Sequence, residues 1–296
     1  MGPVRRPHPR VTSGIIRPMS DPVFGPAWSA SRARVPDATL RDWLAFAQDA
    51  CDAADAAALA HFRRDIEVVR KPDRSFVTVA DQAIEREIRS RIAAAYPGHG
   101  VVGEEYGTDS GAASTRWYID PIYGTHNFIR GVPLFGTLLA VEQEGEIQVG
   151  VISAPAMRER WFAWRGGGAW SRGLDGERRL HVSGVTAVED AQIVYGSGRD
   201  NVASGLMPGF ESLLSAAWRE RGFGDFWGYA LVAEGAAEAM LETGMHSWDL
   251  AAPQILIEEA GGRVTDIDGR RRIDAPSFIG SNGLLHDEIL RRLRGT

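Results

Sequence analysis

Trp117-Tyr-Ile-Asp-Pro-Ile-Tyr-Gly-Thr-His-Asn-Phe128 is an apolar run that breaks abruptly into a carboxylate, a proline, a glycine and a hydroxyl. Trp117 to Ile119 have the aromatic and β-branched character of a buried strand, and Asp120 falls where that strand should end. After Gly124, Thr125 to Phe128 can open a helix whose first free N–H groups point toward any anion bound beside Asp120. A carboxylate beside a helix start suits a metal ion together with a phosphate. The plainer reading is a strand-end Asp that caps the next turn.

Two further acidic stretches favour the first reading. Val101-Val-Gly-Glu-Glu105 is a short apolar strand ending in paired acids, and Trp248-Asp249 opens a helix that closes at Glu259-Ala-Gly-Gly262. Hard divalent cations take oxygen ligands, so such a set suits Mg²⁺ better than zinc. A single Cys and seven scattered His give zinc little to bind.

Gly103-Glu-Glu105, Asp120-Pro-Ile-x-Gly-Thr125-x-Asn-Phe128 and Trp248-Asp249-x-Ala with Glu259-Ala-Gly-Gly262 resemble the paired signatures of the inositol monophosphatase superfamily in order and spacing. Thr78-Val-Ala-Asp81, opening a predicted helix, resembles an additional acidic motif of that family. The likeness runs from about residue 38 to the C-terminus. It implies an α/β (α+β) layered sandwich of alternating helices and sheets that hydrolyses a small phosphate monoester with Mg²⁺.

Carried over by position, the resemblance assigns one metal to Glu104, Asp120 and the backbone carbonyl of Ile122. A second falls to Asp120 and Asp249, and a weaker third to Asp81. Thr125 with Glu104 would activate the attacking water, and the amides of Gly124 and Thr125 would hold phosphate oxygens. The ions would lower the water's pKa and clamp the attacking and leaving oxygens. One position departs: Tyr123 stands where the family has a second Asp. A phenol titrates near pH 10, so a charged ligand is replaced by a bulky neutral group, and weaker binding of the second metal and slower turnover are expected.

Phe128-Ile-Arg130-Gly-Val-Pro and Arg221-Gly-Phe-Gly-Asp225-Phe-Trp-Gly-Tyr, followed by Leu231-Val-Ala-Glu-Gly235, look most like the histidinol-phosphate phosphatase branch. On that resemblance Arg221 and Asp225 contact the substrate. Glu242, seven residues before Asp249, meets its alcohol part, and an acid there suits a cationic amine. An ordinary surface pair, or for Glu242 a solvated helix end, is the plainer account. Inositol-1-monophosphatase activity is the alternative, and a non-catalytic phosphate-ester binder is the reading that the lost ligand favours.

At 296 residues with 44% apolar content the chain can bury a large core. Lacking a long apolar run, and with one Cys, it reads as cytoplasmic, with neither a membrane span nor a disulfide framework. Residues 1–36 hold six Arg and one Asp, a balance of +5, so the other 260 carry −11 of the total −6. This Pro- and Arg-rich head reads as a disordered extension. The acidic body argues against nucleic acid. Residues 37–182 are expected to form a metal-binding α+β half and 183–296 an α/β half completing the active site, with a homodimer plausible from the family.

Residues 36–62 read as one amphipathic helix holding Cys51 as a core residue, and Ile84, Ile88 and Ile92 mark a second. Val68–Thr78, polar and broken by Pro72, reads as a mobile segment over the metal site whose Lys71 can reach a phosphate, a solvated Lys being the plainer account. Gly107–Ser114 reads as a surface loop. Leu134–Val141 and Ile147–Ala154 read as an antiparallel hairpin with Arg160–Trp164 as the next strand. Arg165-Gly-Gly-Gly-Ala169 lacks the Lys-Ser/Thr of a nucleotide loop and reads as a turn. Ala191–Tyr195 reads as a strand, and Gly205–Arg221 and Tyr229–Leu241 as helical.

Overall fold

The computed structural model describes residues 35–72, 76–204 and 207–295. The expected basic extension falls, for residues 1–34, outside the described residues; Val35 is buried in the core. Helix α1 (Asp37–His61) buries Leu40, Trp43, Leu44, Ala47, Cys51, Ala54 and Ala58 along one stripe. That spacing of three and four is what lets one face of a helix lie on a sheet. A short ribbon, β1 (Val68–Arg70) and β2 (Phe76–Thr78), then pairs antiparallel. Helix α2 (Val79–Ala95) buries Ile84, Ile88 and Ile92.

The first large sheet contains β3 (Gly100–Gly103), β4 (Gly107–Asp109), β5 (Thr115–Tyr123), β6 (Gly136–Gln143), β7 (Glu146–Ala154), β8 (Glu159–Trp164), β9 (Gly168–Gly173) and β10 (Gly176–Arg179). Its order is β10-β9-β8-β7-β6-β5-β3-β4, and only β3 and β5 run parallel. The short helix α3 (Thr125–Ile129) hangs from the end of β5. The expected hairpin is β6 and β7, and the Gly-rich stretch is the turn between β8 and β9. The expected 107–114 loop begins as the exposed edge strand β4.

The second sheet is built from β11 (Gln192–Tyr195), β12 (Arg219–Arg221), β13 (Ala239–Thr243), β14 (Arg263–Thr265) and β15 (Ser277–Ser281), in the order β12-β11-β13-β15-β14. Helices α4 (Gly198–Ala203), α5 (Met207–Ala216), α6 (Asp225–Ala233), α7 (Ser247–Glu259) and α8 (His286–Arg294) accompany it. One expectation fails here: Tyr229–Leu241 is not one helix. Gly235 adopts φ +71 and lies so close to the His181 carbonyl that a Cβ would sit 2.8 Å from it, and the chain re-enters as the buried strand β13.

Three apolar clusters define the layers. One lies between α1, α2 and one face of the eight-stranded sheet, and one between that sheet's other face, α6, α7 and the second sheet. The third joins the far face of the second sheet to α5 and α8. The order is therefore helix, sheet, helix, sheet, helix, the expected layered sandwich. Helix α7 seats closely on β7, since a Cβ on Gly150 would come within 2.5 Å of Ile255 Cγ2. Among the described residues no helix is long and apolar enough to cross a membrane.

Candidate active site

The strand end foreseen at Asp120 is a distortion of β5. Its register against β6 shifts between Asp120 and Tyr123, which lets Pro121 sit in a strand without costing a ladder bond. Gly124 then takes φ +88 and turns the chain into α3. Thr125 is nearly buried, and its Oγ1 lies 3.0 Å from the Ile122 carbonyl and 3.3 Å from Asp81 Oδ1.

Asp81 is also the third residue of α2, where its Oδ2 accepts the Thr78 amide at 2.8 Å in a capping box. One oxygen therefore fastens the helix and the other faces Thr125. Asp249 is used in the same way at the start of α7, its Oδ2 accepting the His246 amide at 2.7 Å. Its side chain also meets Asp120. Asp120 is 2% exposed, and its Oδ1 is buried without a hydrogen-bond partner.

Glu104 and Glu105 follow β3, and Lys71, after β1, bridges them: Nζ lies 3.0 Å from Glu104 Oε1 and 2.7 Å from Glu105 Oε1. The turn is held from below by the fully buried Glu85, whose carboxylate accepts the amides of Glu105 (2.7 Å) and Tyr106 (3.2 Å). Glu85 shares a helix with the Ile84 stripe, and a lone acid beside an apolar stripe was the signal available for it.

Burial drives the titration of this cluster, and neighbouring carboxylates add to it. Asp120 is held well above the ordinary Asp range by burial, then by Glu104, Asp249 and Asp81. Burial, only partly offset by Lys71, pushes Glu104 up to about 7, and Glu105 likewise to about 7. Burial also raises Asp249 to about 6. Acids that repel one another and leave a buried oxygen unpartnered mark a place where a cation would relieve the repulsion.

The donor set fits a hard divalent ion, all oxygen and no sulfur. It is not assembled into a ligand shell: among the described residues no group of three or more His, Cys, Asp or Glu is placed to hold a metal ion. Lys71 engages Glu104, while the two capping amides each take one oxygen of Asp81 and Asp249.

The Tyr123 hydroxyl is engaged outside this set, though within reach of the Asp249 charge. Its hydroxyl donates to Glu242 Oε2 at 3.2 Å, and Tyr229 donates to the same oxygen. Glu242 is buried in β13, so it is no solvated helix end, and burial pushes it up to about 8. Burial and Glu242 hold Tyr123 well above the ordinary phenol range, so it stays neutral.

Asp225 opens α6 at φ +53, uncommon for a residue with a side chain. Asn127, which also donates to Leu134 O, holds its Oδ2 at 2.6 Å. Arg221 lies apart, exposed at the end of β12, with its guanidinium donating to the Glu220 carbonyl. Asn127 and Tyr229 stand inside the quoted motifs without an assigned role; each role is recognised only through a partner distant in the chain.

The family model described as the inositol monophosphatase family matches residues 39–295. The chain belongs to the inositol monophosphatase family. It is thus a member of a family of phosphoric monoester hydrolases. Among curated relatives, the histidinol-phosphatase of Mycobacterium tuberculosis is 42% identical over 85% of this chain and 98% of its own length. That of Streptomyces coelicolor is 43% identical over 84% and 96%. Of solved structures, the Thermotoga maritima IMPase superposes with a TM-score of 0.77 at 31% identity, covering 86% of this chain and 97% of that one.

Proposed function

We infer that this inositol monophosphatase family member hydrolyses histidinol phosphate with Mg²⁺, with turnover slowed by Tyr123. The observation that carries the reading is Asp120, whose buried, unpartnered Oδ1 lies among Glu104, Asp249 and Asp81. The amine-bearing substrate is supported by Asp225 and Glu242 beyond Tyr123, and by relatives named histidinol-phosphatase.

In this reading Glu104, Asp120 and the Ile122 carbonyl would hold one Mg²⁺, Asp120 and Asp249 a weakened second, and Asp81 a third. The ions would supply an acidified water and charge neutralisation at the phosphate. The chain's own groups do the rest. Thr125 Oγ1, steadied by Ile122 O, directs the water together with Glu104, and the amides of Gly124 and Thr125 hold phosphate oxygens. Lys71 leaves Glu104 and is free to meet the phosphate. Asp225 and Glu242 bind the alcohol part, and Arg221, exposed on its edge strand, serves only if the ester extends that far. A cytoplasmic homodimer without nucleic-acid or membrane partners completes the proposal.

The test is Mg²⁺-dependent phosphate release from histidinol phosphate and from inositol 1-phosphate, by the chain as it stands and by Tyr123→Asp. A gain of about 10²-fold in kcat on the first ester, at saturating concentration, is expected in the variant. Preference for inositol phosphate would instead place the chain beside relatives such as the Mesorhizobium japonicum inositol-1-monophosphatase, 34% identical over 78% of this chain. One observation favours a third reading, a binder without turnover: the Tyr123 phenol is committed to Glu242. Calorimetric binding of the ester by both proteins with no phosphate released would establish that reading.

A further inference from the structure

Glu242 is enclosed by three elements. Tyr123 from the end of β5 and Tyr229 from α6 both donate to its Oε2. On its other side Gly196, just past β11, approaches so closely that a Cβ there would lie 2.2 Å from Oε1. Tyr229 is fully buried, so its hydroxyl has no recourse to water. The Glu242 carboxyl, on a flexible stem, is thereby reduced to a single placement, with one oxygen accepting from two phenols, and an arriving ammonium favours its ionised form. A family-type Asp at 123 would bring a second carboxylate toward Glu242 and offer it no proton donor.

We propose that Tyr123 and Tyr229 are positioning residues that fix Glu242 for recognition of a cationic amine on the alcohol side of the ester. This rests on the reading of Glu242 as the acid that meets the alcohol part. Tyr123 is then a converted ligand: the position lost to the metal serves substrate selection. The second phenol explains how the conversion is tolerated, because Glu242 already had one neutral donor at that oxygen.

The experiment compares the chain with Tyr123→Phe, Tyr229→Phe, Glu242→Met and Tyr123→Phe/Glu242→Met, each checked by its melting temperature. The substrates are histidinol phosphate and n-butyl phosphate, which has neither amine nor free hydroxyl. Each phenylalanine is expected to raise KM for the amino ester about tenfold or more, leaving kcat and the butyl ester unaffected. In the Glu242→Met background Tyr123→Phe should add nothing. An equal rise for both esters, a fall in kcat alone, or an undiminished Tyr123→Phe effect in that background overturns the proposal. If no ester is hydrolysed, the phosphatase reading fails by itself. Titration of histidinol phosphate into Mg²⁺-free protein then decides the cage: tighter binding than by Tyr123→Phe keeps it, equal binding overturns it.

Discussion

Lys71 Nζ lies 3.0 Å from Glu104 Oε1, so the cation nearest the acidic cluster belongs to the chain itself. It arrives from the β1–β2 ribbon and also holds Glu105 at 2.7 Å. An ammonium there offsets part of the repulsion among the carboxylates without contacting Asp120.

Metal-free stability should therefore depend on pH in a defined direction. Glu104 and Glu105 rise from 4.5 to about 7, Asp249 from 3.8 to about 6 and Glu242 from 4.5 to about 8. Between the ordinary and the raised values the folded chain keeps protons that the unfolded chain releases, so stability declines as pH rises. The melting temperature without Mg²⁺ is expected to fall by several degrees from about pH 5 to about pH 8, at about 2–4 °C per kcal/mol. Lys71→Met should deepen the fall at the alkaline end and converge with the parent near pH 5. A flat profile would mean that the cluster is solvated.

Asp120→Asn should separate stability from activity. Removing one of the repelling carboxylates should raise the metal-free melting temperature near pH 8, while phosphate release should fall by about 10³-fold through loss of the shared ligand proposed above. Thermal unfolding and a phosphate assay on one preparation check both signs; a loss of stability would contradict the electrostatic account.

Tyr123→Asp should increase Mg²⁺ bound per chain in a calorimetric titration and lower the melting temperature of the metal-free form. The lowering follows from placing a carboxylate toward buried Glu242, now without one of its two donors. Saturating Mg²⁺ should recover the difference.

His286 tests the opposite sign. It is buried, with its ring nitrogens 2.8 Å from Thr265 Oγ1 and 2.8 Å from Ser281 Oγ, and burial lowers it from 6.5 to about 3. Its contribution is full above about 6.5 and is lost as pH falls toward 3, because the unfolded chain then binds a proton the folded one refuses. His286→Gln should remove that part of the acid limb in urea unfolding at about pH 4 relative to pH 7.

Much of the site was legible because its residues stand at local breaks: Asp120 ends an apolar run, and Asp81 and Asp249 open helices. Thr125 beside Asp81 was not, since that contact spans 44 residues. Tyr229–Leu241 was misread because Ala-rich sequence suits a helix, whereas β13 is buried on both faces and has no alternation to show. Gly235 carried the missed stop signal. The 68–78 stretch looked merely polar because two three-residue strands are too short for a period, and residues 73–75 lie outside the described residues.

Glu259 shares the signature that ends in Gly262, yet it works at the opposite end of α7 from Asp249. Its Oε2 accepts the amides of Gly166 (3.1 Å) and Gly168 (3.0 Å), clasping the turn between β8 and β9. A single motif thus joins a residue suited to chemistry with one that braces architecture, about 15 Å of helix apart. A descendant that had abandoned catalysis would still be selected to retain the Glu259 end. Retention of that half of the signature records the survival of the scaffold, and any demand of the reaction would show in the Asp249 half, which also caps α7.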